Sequence, residues 1–348
     1  MPAGCNEEHK FDVLKCDAKA SCVRRGSMFD LIKRNWFMLG LLGVAAVTIA
    51  DGSGVTTTPG LWLRAHHGPS IGIVVIFFLS GLALDIGQVK SGAADYKGTL
   101  VALAVIFVAS PLIALLSTLL PLQTGIVFGM LLVAVMPTTL SSGVVMTGAA
   151  GGNMAHALMI TIIANSLAVV TIPVVLGELL ALSGESRAIT IARLPIMIKI
   201  ATLVLLPLVA GLLVRRRSGK LLKPLLPYTS LCNQVAILSF VWMAVCQGRH
   251  TILSGLDAIV PVLSLVFTFH LSLLLLGFLA THAAGIGPGR RESVIFMGGQ
   301  KTLPLSIILQ VSLFPEYGLA LVVCVLHHIV HLIMDAFLVQ RLGKDRKT

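Results

Sequence analysis

The chain has 348 residues, of which 56% are hydrophobic and only 12% charged, and its mean hydropathy is +0.94. A water-soluble domain carries about twice that share of charge, so composition argues against a soluble enzyme, and against a nucleic-acid binder despite the net charge of +11. The apolar runs are continuous rather than alternating, which argues against a membrane β-barrel.

In chain order, residues 1–35 are polar and basic with no apolar h-region. They read as a disordered cytoplasmic tail with no cleavable secretory signal. Cys5, Cys16 and Cys22 in this tail fit no zinc spacing and read as reduced thiols. Apolar runs near the length of a bilayer span follow at 36–50, 70–88, 98–120, 124–148, 153–182, 189–214, 225–246, 252–282, 291–312 and 317–340. The expected fold is an all-α polytopic membrane protein of ten transmembrane helices. Twenty of the 26 Lys and Arg fall on one side if the N-terminus is cytoplasmic, and four on the other. The positive-inside rule then puts both termini in the cytoplasm, with a basic tail at 342–348. A plasma or bacterial inner membrane, or a secretory-pathway membrane, fits this pattern.

Between two of the most apolar runs lies "MPTTLSSGVVMTGAAGGN", residues 136–153, which carries a proline, several glycines and six Ser, Thr or Asn. Offset by 163 residues, this stretch meets the "KTLP" region of the ninth run: Thr139-Leu140 falls on Thr302-Leu303, and Leu158 on Leu321. The fourth run thus pairs with the ninth, and five runs (36–185) with five (186–341). An odd number of spans per half inverts one half relative to the other, the plan of many secondary transporters. Non-helical backbone at membrane depth is tolerated where protein or a water-filled cavity surrounds it. Pro137 and Gly143 can interrupt the fourth span, and Gly298, Gly299 and Pro304 the ninth. Thr138, Thr139 and Thr302 lie at the same two places, so together these positions are the candidate crossover and substrate site.

Other groups carry weaker signals. Asp85 and Lys90 read as interface residues at the end of the second span, Asp257 as one at the start of the eighth, and Lys199 as a snorkelling side chain. His156 and His270 read as packing histidines. His328, His331 and Asp335 share one helical face on the tenth span, a candidate proton relay. No metal site is expected, because no fourth ligand is evident. The aspartate-rich pairs of prenyl transferases and the Walker lysine pattern are missing, so an enzyme is not expected.

The pieces "RNWFMLG", "IFFLSGLALD", "MPTTLSSGVVMTGAAGGNMAHAL", "LLPLVAGLLVRR" and "VIFMGGQKTLPLSIIL" resemble the bile acid:sodium symporter superfamily, in its divergent SBF-like branch around sodium/bile acid cotransporter seven. The resemblance implies a panel domain of spans 1, 2, 6 and 7, and a core domain of spans 3–5 and 8–10. Broken helices 4 and 9 would cross in the core, with sodium behind the crossing and substrate between the domains. It implies sodium ligands near Ser141, Ser142, Asn153, Thr161 and Gln300. Two departures stand out. Phe296 replaces the usual glutamate of the ninth span, and Lys301 follows the glutamine, so a carboxylate is lost and an ammonium gained.

The expected activity is secondary active transport of a small organic anion or similar metabolite. Coupling would be to sodium, or to protons if Lys301 replaces a sodium ion. The alternative is a membrane regulator of cellular calcium. Na⁺ is the one non-protein group implied, the lipid bilayer is the other partner, and no nucleic acid is expected. The oligomeric state is open.

Overall fold

The structure is a computed structural model that describes residues 36–37, 39–84, 92, 94–184, 192–254 and 256–344. The N-terminal tail with its three cysteines, Asp85 and Lys90, and residues 345–348 of the basic C-terminal tail lie outside the described residues. Among those residues every regular element is helical. Seven helices are long and apolar enough to cross a bilayer, eight if one sharply bent pair counts as a single span.

In chain order, the elements are α1 Leu39–Ala50, α2 Thr57–Ala65, α3 Gly68–Ala83, α4 Tyr96–Leu119, α5 Thr124–Val135, α6 Ser142–Ala149 and α7 Met154–Leu182. Then come α8 Arg193–Ser218, α9 Leu226–Ser254, α10 Leu256–Ala283, α11 Arg291–Gly299, α12 Leu303–Leu313 and α13 Gly318–Lys344. Long helices form because each apolar run satisfies its own backbone within the helix, the requirement set by a hydrocarbon surround. Large apolar side chains such as Leu119 and Leu206 stand exposed on the outside, 79% and 66% accessible. That is the surface an integral membrane protein offers to lipid.

One helix was not expected. The sequence places a loop at 51–69, yet α2 forms there and bends 78° from α3. Its apolar content is too low and its His66-His67 too polar to read as a span. Asp51 organises its start. Its carboxylate accepts the N–H groups of Ser53, Gly54, Thr56 and Thr57 and the hydroxyls of Ser53, Thr56 and Thr57. These bonds, that of the Thr57 N–H foremost, hold the Asp51 carboxyl far below the usual carboxylate range. The bend follows at His67, whose φ of 63° is left-handed.

The helices pack in two groups. α3 lies against α8 and α9. Around them α5 packs on α13, α10 on α11 and α13, and α6 on α11 and α13. Arginines close two exposed helix ends, as cations do at a C-terminus: Arg249 donates to the carbonyls of Thr48 and Ile49, and Arg215 to Leu82 O at 2.9 Å. The α11–α12 segment sits at the centre. Its apolar window is 94% buried, against 33–50% in the other long helices.

The α3–α8 contact is backbone to backbone. A Cβ at Gly81 would stand 2.1 Å from Leu208 O, and one at Gly211 2.1 Å from Phe78 O. Gly211→Val should therefore force the two helices apart, at a cost of about 1–3 kcal/mol or more. A thermal melt in detergent should show a clearly lowered midpoint. A midpoint equal to the wild type would refute the close crossing.

Candidate functional site: the meeting of two interrupted helices

Two segments break where the sequence offers proline and glycine. α5 ends at Val135, and the chain runs non-helically from Met136 to Ser141 before α6. α11 ends at Gly299, and α12 begins at Leu303 after Gln300, Lys301 and Thr302. The two gaps touch: Thr302 N–H donates to Pro137 O at 3.0 Å. Each helix end leaves about four backbone groups unpaired, and the site is built from them.

Lys301 answers the carbonyls. It is 2% exposed, and its ammonium donates to Ile106 O at 3.1 Å, Ala134 O at 3.0 Å and Met136 O at 3.1 Å. Ala134 and Met136 belong to the end of α5, where the helix dipole is negative. Ile106 lies in a π-helical stretch of α4, Val105–Ala109, a widened turn of the kind found at functional sites. No ion pair joins Lys301 to a carboxylate among the described residues; the ammonium rests on carbonyl oxygen.

Gln300 answers the side chains. Its Oε1 accepts from the Thr139 hydroxyl and from Ser142 Oγ at 3.0 Å. Its Nε2 donates to Asp335 Oδ2 at 2.7 Å. The other oxygen of Asp335 is bonded to His270 Nε2 at 2.9 Å. His270 is thus no solitary packing histidine. Nor is it alone in space: its ring centroid lies 5.6 Å from that of His331 and 5.9 Å from that of His327, and His328 lies 4.7 Å from His331. All four imidazoles and Asp335 are buried. Ring nitrogens of His270, His327 and His331 lack a hydrogen-bond partner among the described residues.

The remaining expected residues fall in three places. Gly143 and Gly299 let the segments approach, since added Cβ atoms would meet Met297 Sδ at 2.7 Å and Leu274 Cδ2 at 3.2 Å; Gly298 packs likewise on Val105. Thr138 is buried, and its carbonyl accepts from Asn165 Nδ2 at 3.3 Å. Asn153 and Thr161 stand outside the Gln300 cluster: Asn153 is exposed and caps α7 by accepting from His156 N–H, and the Thr161 hydroxyl donates back to Ala157 O. Lys199 is half-buried and donates to Ser312 Oγ.

A cavity of about 580 Å³ opens against the crossing. Thr139, Ser141, Ser142, Thr302, Pro304 and His328 line its inner end, and Ser80, Asn233 and Gln234 its far wall. Among the described residues the lining holds no Asp, Glu, Lys or Arg. Sequence reading missed that far wall, the Ile106, Ala134 and Met136 carbonyls, and His270.

Residues 35–344 match the SBF-like CPA transporter family. The chain belongs to that family. It is 29% identical over 291 residues to the probable sodium/metabolite cotransporter BASS4, chloroplastic, of Arabidopsis thaliana, covering 78% of this chain and 66% of that one, just under two thirds. It is 26% identical over 290 residues to sodium/bile acid cotransporter 7 of Rattus norvegicus, covering 80% and 83%. The Xenopus laevis protein sodium/bile acid cotransporter 7-A is 25% identical over 325 residues, covering 90% and 92%.

One clasp sits at the end of α4, away from the crossing. Arg290 donates to both oxygens of Asp95, at 2.8 and 2.6 Å, and Asp95 also caps α4 by accepting the Gly98 N–H. The Arg290 bond, followed by that of Gly98, holds the Asp95 carboxyl down to about 2. A depressed carboxyl stabilises the fold above its unfolded value, about 3.9, and that contribution is lost as pH falls toward 2. Asp95→Asn should flatten the acid limb of stability between about pH 4 and pH 2, read from melting points in that range. An unchanged acid limb would rule the clasp out as its source.

Proposed function

We propose that this chain is a secondary active transporter that moves a small amphipathic solute, such as an organic anion, by alternating access. One observation carries the reading: the Lys301 ammonium sits on three carbonyls freed by the α4 π-turn and the end of α5. Carbonyl oxygens of this kind are what an unwound helix offers a coupling cation. The relatives' printed names make sodium the driving ion for those proteins. In this chain Lys301 takes one cation position, and Phe296 stands in place of a carboxylate.

The architecture proposed is ten spans in two inverted five-helix repeats. α1, the bent α2–α3 pair, α8 and α9 form the panel, and α4–α7 with α10–α13 the core. The halves' interruptions fall in equivalent places under the 163-residue offset, which sets Lys301 opposite Thr138. Ser141 and Ser142 open α6, and Thr302 precedes α12. Two helix N-termini therefore border the cavity, and their positive dipole ends favour the acceptor oxygens of a solute. The apolar walls would take its body. Alternating access then consists of the core moving against the panel across this cavity, with both termini on the cytoplasmic side.

The test is ²²Na⁺ binding to the purified, reconstituted protein. Wild type should bind little sodium at this position, and Lys301→Ala should open the three carbonyls and gain binding. Ser142→Ala, placed in the Lys301→Ala background, should weaken the gained binding if the crossing forms the site. Strong wild-type binding left unchanged by Lys301→Ala would sink the reading.

A further inference from the structure

We propose that the buried cluster of His270, His327, His328 and His331 with Asp335 is a proton-binding site, loaded from the solute cavity and linked to the helix crossing. The inference rests on the transporter reading for its purpose only, since the site can be tested without any solute.

Three observations carry it. First, the cluster is connected at both ends. His328 lines the cavity, and Asp335 is bonded through Gln300 to Ser142 and Thr139 at the start of α6. Second, the rings are close enough to exchange a proton after a small reorientation. Centroids are 4.7 Å apart for His328 and His331, 5.2 Å for His327 and His331, and 5.6 Å for His270 and His331. Third, both nitrogens of His331, one of His270 and one of His327 have no hydrogen-bond partner although the residues are buried, and the His328 ring faces the Lys301 backbone. A core that only packs has no use for adjacent imidazoles with free lone pairs, whereas a proton carrier needs them.

The charged and titratable groups facing the cluster come from three elements. α10 supplies His270. α13 supplies His327, His328, His331 and Asp335, with the Cys324 thiol one turn earlier beside Ser306. The break between α11 and α12 supplies Lys301, which acts on His327 by charge and presents its backbone to His328. With every imidazole neutral, Lys301 and Asp335 cancel. One added proton leaves the site at net +1, which suits the co-transport of one monoanion without net charge movement.

The step is a plain proton transfer. A hydronium ion in the cavity gives its proton to one nitrogen of His328, and water remains. His328 passes its other N–H proton to His331, and His331 passes one to His270. There the imidazolium faces the Asp335 carboxylate across the 2.9 Å contact. Asp335 then divides its charge between His270 and Gln300, so loading alters the hold of Gln300 on Ser142 and Thr139.

The experiment uses full-length protein in proteoliposomes on a solid-supported membrane, with a rapid pH jump and no solute. Wild type should give a transient charge displacement that titrates with pH. Asp335→Asn and His331→Gln should each reduce it at least fivefold, and His328→Gln should slow it. His282→Gln, an exposed site, controls for surface titration, and gel filtration in detergent confirms that each variant is folded. Should Asp335→Asn misfold, His331→Gln and His328→Gln carry the test. No displacement in wild type, or a displacement equal in folded His331→Gln, overturns the proposal. A displacement that depends on these residues supports it even if wild type binds sodium, so the two readings fail separately.

Discussion

A buried ammonium with no carboxylate beside it must be satisfied by dipoles, and the centre of this molecule is arranged to do that. The carbonyls of Ile106, Ala134 and Met136 point inward because a π-turn and a helix end have released them from their usual partners. Without a cation there, the Ile106 and Met136 carbonyls would lose the ammonium, Ala134 O would keep only the Ser110 hydroxyl at 2.8 Å, and the negative end of α5 would face a low-dielectric interior, where unpaired polar groups are costly. Lys301 thus permits the broken helix, and the broken helix permits Lys301. The gap it holds open places Thr139, Ser142 and Gln300 in contact and aims two helix N-termini at the cavity.

The second constraint is geometric. Where the two gaps meet, side chains must be small or absent: Gly143 faces Met297 and Gln300, and Gly299 faces Leu274 and His270. Small residues at such a junction have a packing role in any membrane protein. Here they have a consequence for chemistry as well, because they bring Gln300 within reach of two hydroxyls and a carboxylate at once. A single amide then spans from the cavity wall to α13.

Much of this was legible in the sequence, for physical reasons. Apolar runs longer than a soluble helix needs give away the long helices. Proline and glycine beside hydroxyl residues give away the interruptions, since few other arrangements tolerate them at depth. α2 was hidden because its turn is set by the hydrogen bonds to Asp51 rather than by hydrophobicity. The π-turn at Val105–Ala109 leaves no mark in "VIFVA", which reads as ordinary helix. His270 was hidden for a different reason. One imidazole on an apolar stripe looks the same whether its partner is a packing neighbour or an aspartate 65 residues away, and only the fold brings the pair together. Asn153 is a motif residue whose side-chain oxygen caps α7, a contact the motif does not announce.

The glycine seam between α3 and α8 bears on how such a molecule can move. Helices whose backbones interlock at Gly81 and Gly211 cannot slide past one another without lifting apart. The pair therefore packs as one stiff rib. Other helix surfaces are separated by side chains and open space, and the cavity beside the crossing lies at one of these. Two residues without side chains thus set the spacing of that helix pair.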